Sequence, residues 1–468
     1  MIDLNHPLTA ASLAPKLERL WAASAAKIHA IEKTFDPEKG APVFTVNGRY
    51  TTRGWTDWTQ GFQYGAAILQ FDATGDAAFL DIGRRRTVGQ MAPHVTHFGV
   101  HDHGFNNVST YGNLLRLMNE GRIEENAWER AFYELAMKCS GAVQAHRWTG
   151  IQGGGYLYSF NGPHSLFADT MRTLRVLAVA HRLGHTLQGE NDARVSLLER
   201  LVQHAQATAQ YNVYYGQGRD GYDVRGRVVH ESLFNTNDGR YRCPSTQQGY
   251  TPFSTWTRGL AWVLLGFAEQ LEFVATVDDE ELVPCGGRQA VERMMREAAR
   301  ATGDFYIAHT PTCGVPYWDT GAPGLYRLGD YLDRPADPLN PYEPVDSSAA
   351  AIAAQGLLRL GRYLAEQGEA GGKRYEQAGL KILDTLFDEP YLSTDPSHQG
   401  LLLHSVYHWP NRWDHVPPGA QVACGEATMW GDYHAREAAL YVQRIIRAEP
   451  YYTFFTPRLN RQRIEDGG

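Results

Sequence analysis

Thr246-Gln247-Gln248-Gly249-Tyr250-Thr251-Pro252-Phe253-Ser254-Thr255-Trp256-Thr257-Arg258-Gly259-Leu260-Ala261-Trp262 packs amides, aromatics and an arginine into a loop that runs directly into a helix. Ser254 is suited to cap that helix, and Trp256 opens an apolar run continuing through Trp262, Val263, Leu264 and Phe267. Arg258 and Trp262 are four residues apart and share one helical face. A flat ring beside a fixed cation suits a sugar that carries a carboxylate. The competing reading makes the tryptophans core and Arg258 a cap for a neighbouring helix.

This pattern, a long polar and aromatic loop feeding a helix, recurs along the chain. Helical periodicity is legible from Leu13 to Ile31 and near 61–73, 111–119, 125–145, 167–183, 190–212, 254–273, 287–302, 346–366, 374–387 and 432–447. Period-two alternation is confined to 214–232, which reads as a hairpin. Loops at 40–60, 96–110, 146–165, 214–253, 304–345 and 388–431 are long for a compact domain, and loops of that length usually carry function. No low-complexity linker divides the chain. About a dozen helices joined alternately by short and long loops predict an all-α (α/α)6 barrel, residues 1–468 forming a single catalytic domain, with the site at the long-loop end.

Composition narrows the partners. Hydrophobic residues make up 43% of the 468, enough for a large core, and the net charge of −8 without a basic run argues against nucleic acid. The 11 Trp and 25 Tyr supply rings that stack on sugars as readily as they fill cores. Five dispersed cysteines, none in a CxxC spacing, argue against a disulfide framework and a thiolate zinc site. Neither a signal peptide nor a membrane span is recognisable, so a cytoplasmic protein is expected, with no membrane partner. A homodimer is compatible with the sequence.

Candidate chemistry lies in the loops. His101-Asp102-His103-Gly104-Phe105 could bind metal, move protons or simply turn the chain; no HExxH or second cluster supplies further ligands, so no metal is expected. Asp169, near the start of a helix, could be a cap. Alternatively, desolvation beside Phe167 and Met171 would raise its pKa and suit it to general acid work. His230 alone reads as structural. Asp346-Ser347-Ser348 reads as a helix cap. No phosphate loop and no GxSxG elbow is present.

Taken in order, these pieces resemble the unsaturated glucuronyl hydrolases of glycoside hydrolase family 88, from about Trp55 to Tyr441. The markers are Trp58-Thr59-Gln60-Gly61-Phe62, Thr74-Gly75-Asp76, the His101–Phe105 segment and Asp169-Thr170-Met171. They continue with the Gln248–Trp262 block, Pro316-Tyr317-Trp318-Asp319, Asp346–Ile352, Leu401-Leu402-Leu403-His404 and Gly431-Asp432-Tyr433. The resemblance implies no cofactor and hydration of the vinyl ether in a 4,5-unsaturated uronic acid at the non-reducing end of a lyase-generated oligosaccharide. It makes Asp169 the general acid/base and Asp102 its essential partner. His101, His230, Gln248, Arg258 and Trp262 line the same pocket, and Trp58 is a stacking wall. His103, Gln247, Thr173 and Gln63 depart from the usual pattern, and the loop His408–His415 lacks the Ser and Lys associated with sulfated substrates. The alternatives are the related rhamnogalacturonyl or ulvan-type activity, a sugar epimerase on the same barrel using His101, His103 and His230, or a non-catalytic sugar-binding protein.

Overall fold

The computed structural model describes residues 1–54 and 57–455. Trp55, where the resemblance begins, and the end of the expected 1–468 domain lie outside the described residues. Twelve helices build the barrel in strict alternation. The outer ones are α1 (Ala14–Thr34), α3 (Ala77–Gln90), α5 (Ala127–His146), α7 (Leu197–Tyr211), α9 (Arg288–Ala308) and α11 (Gly372–Leu386). The inner ones are α2 (Phe62–Thr74), α4 (Asn113–Asn119), α6 (Thr170–Arg182), α8 (Thr257–Val274), α10 (Ser347–Glu366) and α12 (Met429–Ile446). α4 is entered through a short helix, His103–Asn107, and a wide turn, Val108–Gly112.

The alternation follows from residue placement. Every side chain of α8 is buried, as is nearly all of α10 and α12, so these helices have no solvent face and sit inside, their charged residues buried with the rest. In α1, α7 and α11 burial is confined to one stripe, the signature of an outer helix. Each inner helix is entered from an outer one by a long connection and left by a shorter one, Gly75-Asp76 after α2 being the tightest. All six long connections therefore gather at the N-terminal ends of the inner helices. Most of the strands lie in these loops, as hairpins Ala41–Val46 with Arg49–Arg53 and Trp148–Ile151 with Gly154–Leu157, and a three-stranded sheet of Ser165–Phe167, Glu231–Phe234 and Tyr241–Ser245.

The interior below the long loops is held by ions as well as by apolar packing. Arg172 of α6 pairs with Glu269 of α8 at 2.9 Å and Glu437 of α12 at 2.8 Å, all three buried. Removing one member of such a set leaves an uncompensated charge and typically costs about 3–5 kcal/mol.

Two expectations need correction, one is met in part, and one helix was not foreseen. α3 was not legible, because Gly83, Gly89 and the Arg84-Arg85-Arg86 run blur its period. Gly83 is needed there, since a Cβ would lie 2.5 Å from Ile68 Cγ1 on α2. α7 starts at Leu197 and not near 190: Asn191 and Asp192 have φ of 55° and 58°, and Ser196 caps the helix by accepting from the Glu199 N–H. The 214–232 hairpin is present only at its base, where residues 212–214 pair antiparallel with 226–229 through the Val213–Val228 bridge; its tip is a turn in which the Asp223 carboxylate accepts from the N–H groups of Gly216, Gln217 and Arg219. Beyond that base a side chain takes the place of further ladder bonds. The segment Glu231–Phe234 pairs instead with Ser165–Phe167 and Tyr241–Ser245. Ser254 does not cap α8; its hydroxyl bonds Thr251, and Trp256 holds the cap position without a side-chain bond.

Candidate active site

A cavity of about 210 Å3 opens among the long loops, lined by Asp57, Trp58, His101, Asp102, Phe105, Phe160, Phe167, Asp169, Gln247, Gln248, Trp256, Arg258, Trp262, Tyr407, His408 and Trp413. Pockets for drug-sized ligands run to roughly 300–1,000 Å3, so this one suits a single ring. All eight sequence-predicted site residues except His230 line it. His230 lies directly behind, its ring 4.4 Å from Phe167 and 4.7 Å from Trp256.

Asp169 occupies the cap position of α6, yet its carboxylate caps nothing. It turns instead to His101, whose Nε2 is 3.3 Å from Asp169 Oδ2 and 3.8 Å from Asp102 Oδ1. One atom from each of His101, Asp102 and Asp169 falls within 4.8 Å of the others, a set able to exchange protons or to hold a cation. The two carboxylates come from different connections and are brought together by a close backbone approach. A Cβ on Gly104 would lie 2.3 Å from Thr173 Cα, so only glycine lets the His101–Asp102 segment lie against α6. Thr173 Oγ1 donates to the His101 carbonyl and Arg175 Nε to the Gly104 carbonyl, fastening the same contact.

The electrostatics reverse one expectation. Burial pushes Asp102 up to about 6, His101 being too weak an offset. Asp169 is held below the usual carboxylate range: burial alone would raise it, but the His101 hydrogen bond and the charges of His101 and His230 outweigh that. His101 is raised, because the two neighbouring carboxylates overcome its burial. His101 and Asp102 therefore hold their protons to higher pH than usual and Asp169 gives its own up more readily, the reverse of what desolvation by Phe167 and Met171 suggested.

His230 has a defined tautomer. Its Nδ1 accepts from the backbone N–H groups of Gln247 and Gln248 at 3.0 and 3.2 Å, and burial holds its pKa down at about 4. The proton of the neutral ring is thus on Nε2, which points at Asp169 Oδ1 across 3.9 Å. Neither of those two atoms has a hydrogen-bond partner among the described residues.

Arg258 fits the competing reading more than the anchoring one. Its guanidinium donates to Asp346 Oδ2 (2.8 Å), the Val406 and Tyr407 carbonyls (2.5 and 2.7 Å) and Gln248 Oε1 (2.9 Å). Asp346 in turn caps α10 through the Ser348 and Ala349 N–H groups. Arg258 therefore clamps three connections behind the pocket wall. Trp262, one turn on, packs edge-on against Phe105 and His434 at 4.9 and 4.8 Å. Trp58 stands against Phe62, Phe105 and Trp430 and donates from Nε1 to the Tyr407 hydroxyl at 3.2 Å.

His103 is turned out of the pocket, bonded to Ser140 Oγ at 2.8 Å and the His97 carbonyl at 2.6 Å. It is therefore not a second proton shuttle. Tyr407, His408, Asp57 and Phe160 were not singled out from sequence as pocket residues; an aromatic or acid in a long loop carries no local signal of the direction it faces. The Asp414 carboxylate orients the first two by accepting from their backbone N–H groups. All five cysteines are free.

No family model matches the chain. An unsaturated glucuronyl hydrolase of Formosa agariphila is 26% identical over 396 residues, covering 83% of this chain and 81% of that protein. One from Bacillus sp. strain GL1 is 26% identical over 404 residues, 85% of this chain and 89% of that protein. The crystal structure of the unsaturated glucuronyl hydrolase from Bacillus sp. GL1 superposes with a TM-score of 0.69 at 21% identity, over 95% of this chain and all of that one. In sequence over most of its length, and in its (α/α)6 barrel, the chain is a relative of the unsaturated glucuronyl hydrolases.

Proposed function

We propose that this chain is a glycoside hydrolase removing a 4,5-unsaturated uronic acid from the non-reducing end of lyase-generated oligosaccharides. The observation that carries the proposal is the Asp169–His101–Asp102 cluster at the base of an aromatic-walled pocket sized for one ring. Trp58 stacks on the ring. The arriving carboxylate and the displacement of water both raise Asp169. His101, hydrogen-bonded to it at 3.3 Å, hands over a proton, and Asp169 delivers it to C4. The C4–C5 double bond becomes a C4–H bond, and positive charge is shared by C5 and the ring oxygen. Water then adds to C5 while Asp169 takes back its proton. The hemiketal opens, the hemiacetal left at C1 releases the remaining sugar with a hydroxyl, and one water is consumed overall. Because one carboxyl serves both steps, carboxylate spacing rules for ordinary glycosidases do not apply.

The same reading takes residues 1–468 as one catalytic domain working in the cytoplasm, where free thiols persist, and is compatible with a homodimer. Among the described residues no helix is long and apolar enough to cross a membrane. The test is the loss of ultraviolet absorbance on unsaturated disaccharides from chondroitin, hyaluronan, heparin, ulvan and rhamnogalacturonan, with Asp169→Asn alongside. Decay abolished by the variant supports the reaction and identifies the leaving sugar. An Asp169→Asn protein that turns over normally would sink it.

A further inference from the structure

The rim of the pocket inverts the usual placing of rings and polar groups. Of the described residues lining it, only Phe160 and Trp413 are exposed, at 49% and 40%, while Asp102, Asp169, His101 and Arg258 are buried. Two aromatic side chains left in water at the mouth of a cavity carry a hydration cost that a ring laid against them removes. They come from different connections, Phe160 from the one before α6 and Trp413 from the one before α12. Phe160 lies parallel to the His101 ring at 6.1 Å and edge-on to Phe167 at 5.5 Å.

Trp413 is fixed more firmly. Its N–H donates to the His408 carbonyl at 3.4 Å, and the next residue, Asp414, accepts from the Tyr407 and His408 N–H groups, closing a tight turn. The indole packs at an angle against His408 at 4.7 Å and Tyr407 at 5.4 Å. Arg53, at the end of the hairpin in the first long connection, lays its guanidinium over the indole, 4.4 Å from the ring centroid, and over Tyr407 at 5.6 Å. A cation over one face fixes the plane of a ring without covering its other side. The cavity of about 210 Å3 takes one ring, so the sugar linked to that ring lies at the rim, where the two exposed aromatics are. A rigid indole at that place meets the flat C–H face of a pyranose and asks for no charged substituent.

We propose that Trp413, braced by Arg53, is the platform for the leaving sugar, a pyranose read by its ring face. The inference rests on the hydrolase reading of the pocket. Its test compares an unsaturated disaccharide with the methyl glycoside of the same unsaturated uronic acid, which fills the pocket but has no second ring. Trp413→Ala should raise KM for the disaccharide about tenfold or more, with kcat held within about twofold and the methyl glycoside unaffected, because stacking that is equal in the ground and transition states appears in KM alone. A factor of ten is roughly 55 Å2 of apolar surface withdrawn from water, about a third of what a buried aromatic side chain covers. Trp413→Phe should restore most of the loss. Arg53→Ala should give a smaller rise confined to the disaccharide, and Arg53→Lys should recover it; a rise on both substrates overturns the bracing. For Trp413→Ala, an equal rise on both substrates, or none on either, overturns the platform while leaving the reaction intact. If neither substrate is consumed, the hydrolase reading fails and fluorescence titration decides the platform separately. The parent chain should then bind the disaccharide about tenfold more tightly than the methyl glycoside, and Trp413→Ala should not; equal affinities in the parent, or no binding, overturn the platform too.

Discussion

Replacing Arg258 separates two roles that a pocket arginine can have. Its guanidinium donates to four acceptors, of which the Asp346 carboxylate is fully buried and the Val406 and Tyr407 carbonyls belong to the connection before α12. Arg258→Ala leaves a buried carboxylate without its counter-ion, a loss of about 3–5 kcal/mol. That is a large part of the ~5–15 kcal/mol holding a typical domain together. Arg258→Lys keeps the charge but not the planar fork, so it should fall between the two. Combining Arg258→Met with Asp346→Asn removes both charges while an asparagine still caps α10, and should recover about half of the loss. Thermal and urea unfolding read the stability, and steady-state kinetics read the pocket. Because Tyr407 and Gln248 are positioned through Arg258, kcat should fall together with stability. If Arg258→Ala unfolds like the parent and only KM rises, the clamp argument is wrong and Arg258 is a substrate anchor.

Three further outcomes follow from the geometry. Asp102 titrates near 6 in the folded chain and near 3.8 when unfolded, so the folded form keeps its proton longer and stability falls as pH rises between those values. Asp102→Asn should flatten that slope, adding on the order of 1–3 kcal/mol at pH 7, and remove an inflection near pH 6 from kcat/KM; an unaltered pH profile refutes it. Nitrogen NMR should find His230 neutral with its proton on Nε2 at every pH above about 4, whereas titration near 6.5 would contradict the bonds at Nδ1. Gly104→Ala drives a methyl into Thr173 and should cost about 1–3 kcal/mol with a larger loss of kcat than of binding, because it parts Asp102 from Asp169; undiminished kcat would show that their spacing is not fixed by this contact.

The barrel was legible because most of its helices keep a helical period of apolar residues, and the alternation of connection lengths told which end the site occupies. α3 escaped because past Phe79 and Leu80 its buried face continues through Gly83, which meets Ile68, and Thr87, a fit that hydrophobic periodicity cannot register. The carboxylates were legible as candidates from their loops, but their pairing and the place of His230 only through the resemblance. Sequence gives no measure of the 3.3 Å contact between His101 and Asp169, and it was that contact which moved the proton away from Asp169. Arg258 shows a subtler limit: its place on the pocket face of α8 was readable from spacing to Trp262, but its occupation by Asp346 depends on α10, 88 residues away.

The one-ended arrangement of long connections has an electrostatic consequence. α6 and α8 begin at the pocket, with Asp169 and Trp256 in their cap positions and no side chain bonded to their first N–H groups, and a helix start of that kind carries roughly half a positive charge. The pocket of this acidic chain, bearing Asp57, Asp102 and Asp169, thus stands in a positive field in which the two helix starts add to the charge of Arg258. A carboxylate ring can be drawn in without lysines at the rim. The field acts only within about one helical turn and inside a cavity shielded from bulk ions, so added salt should change capture of the substrate far less than it would for a pocket ringed with basic side chains.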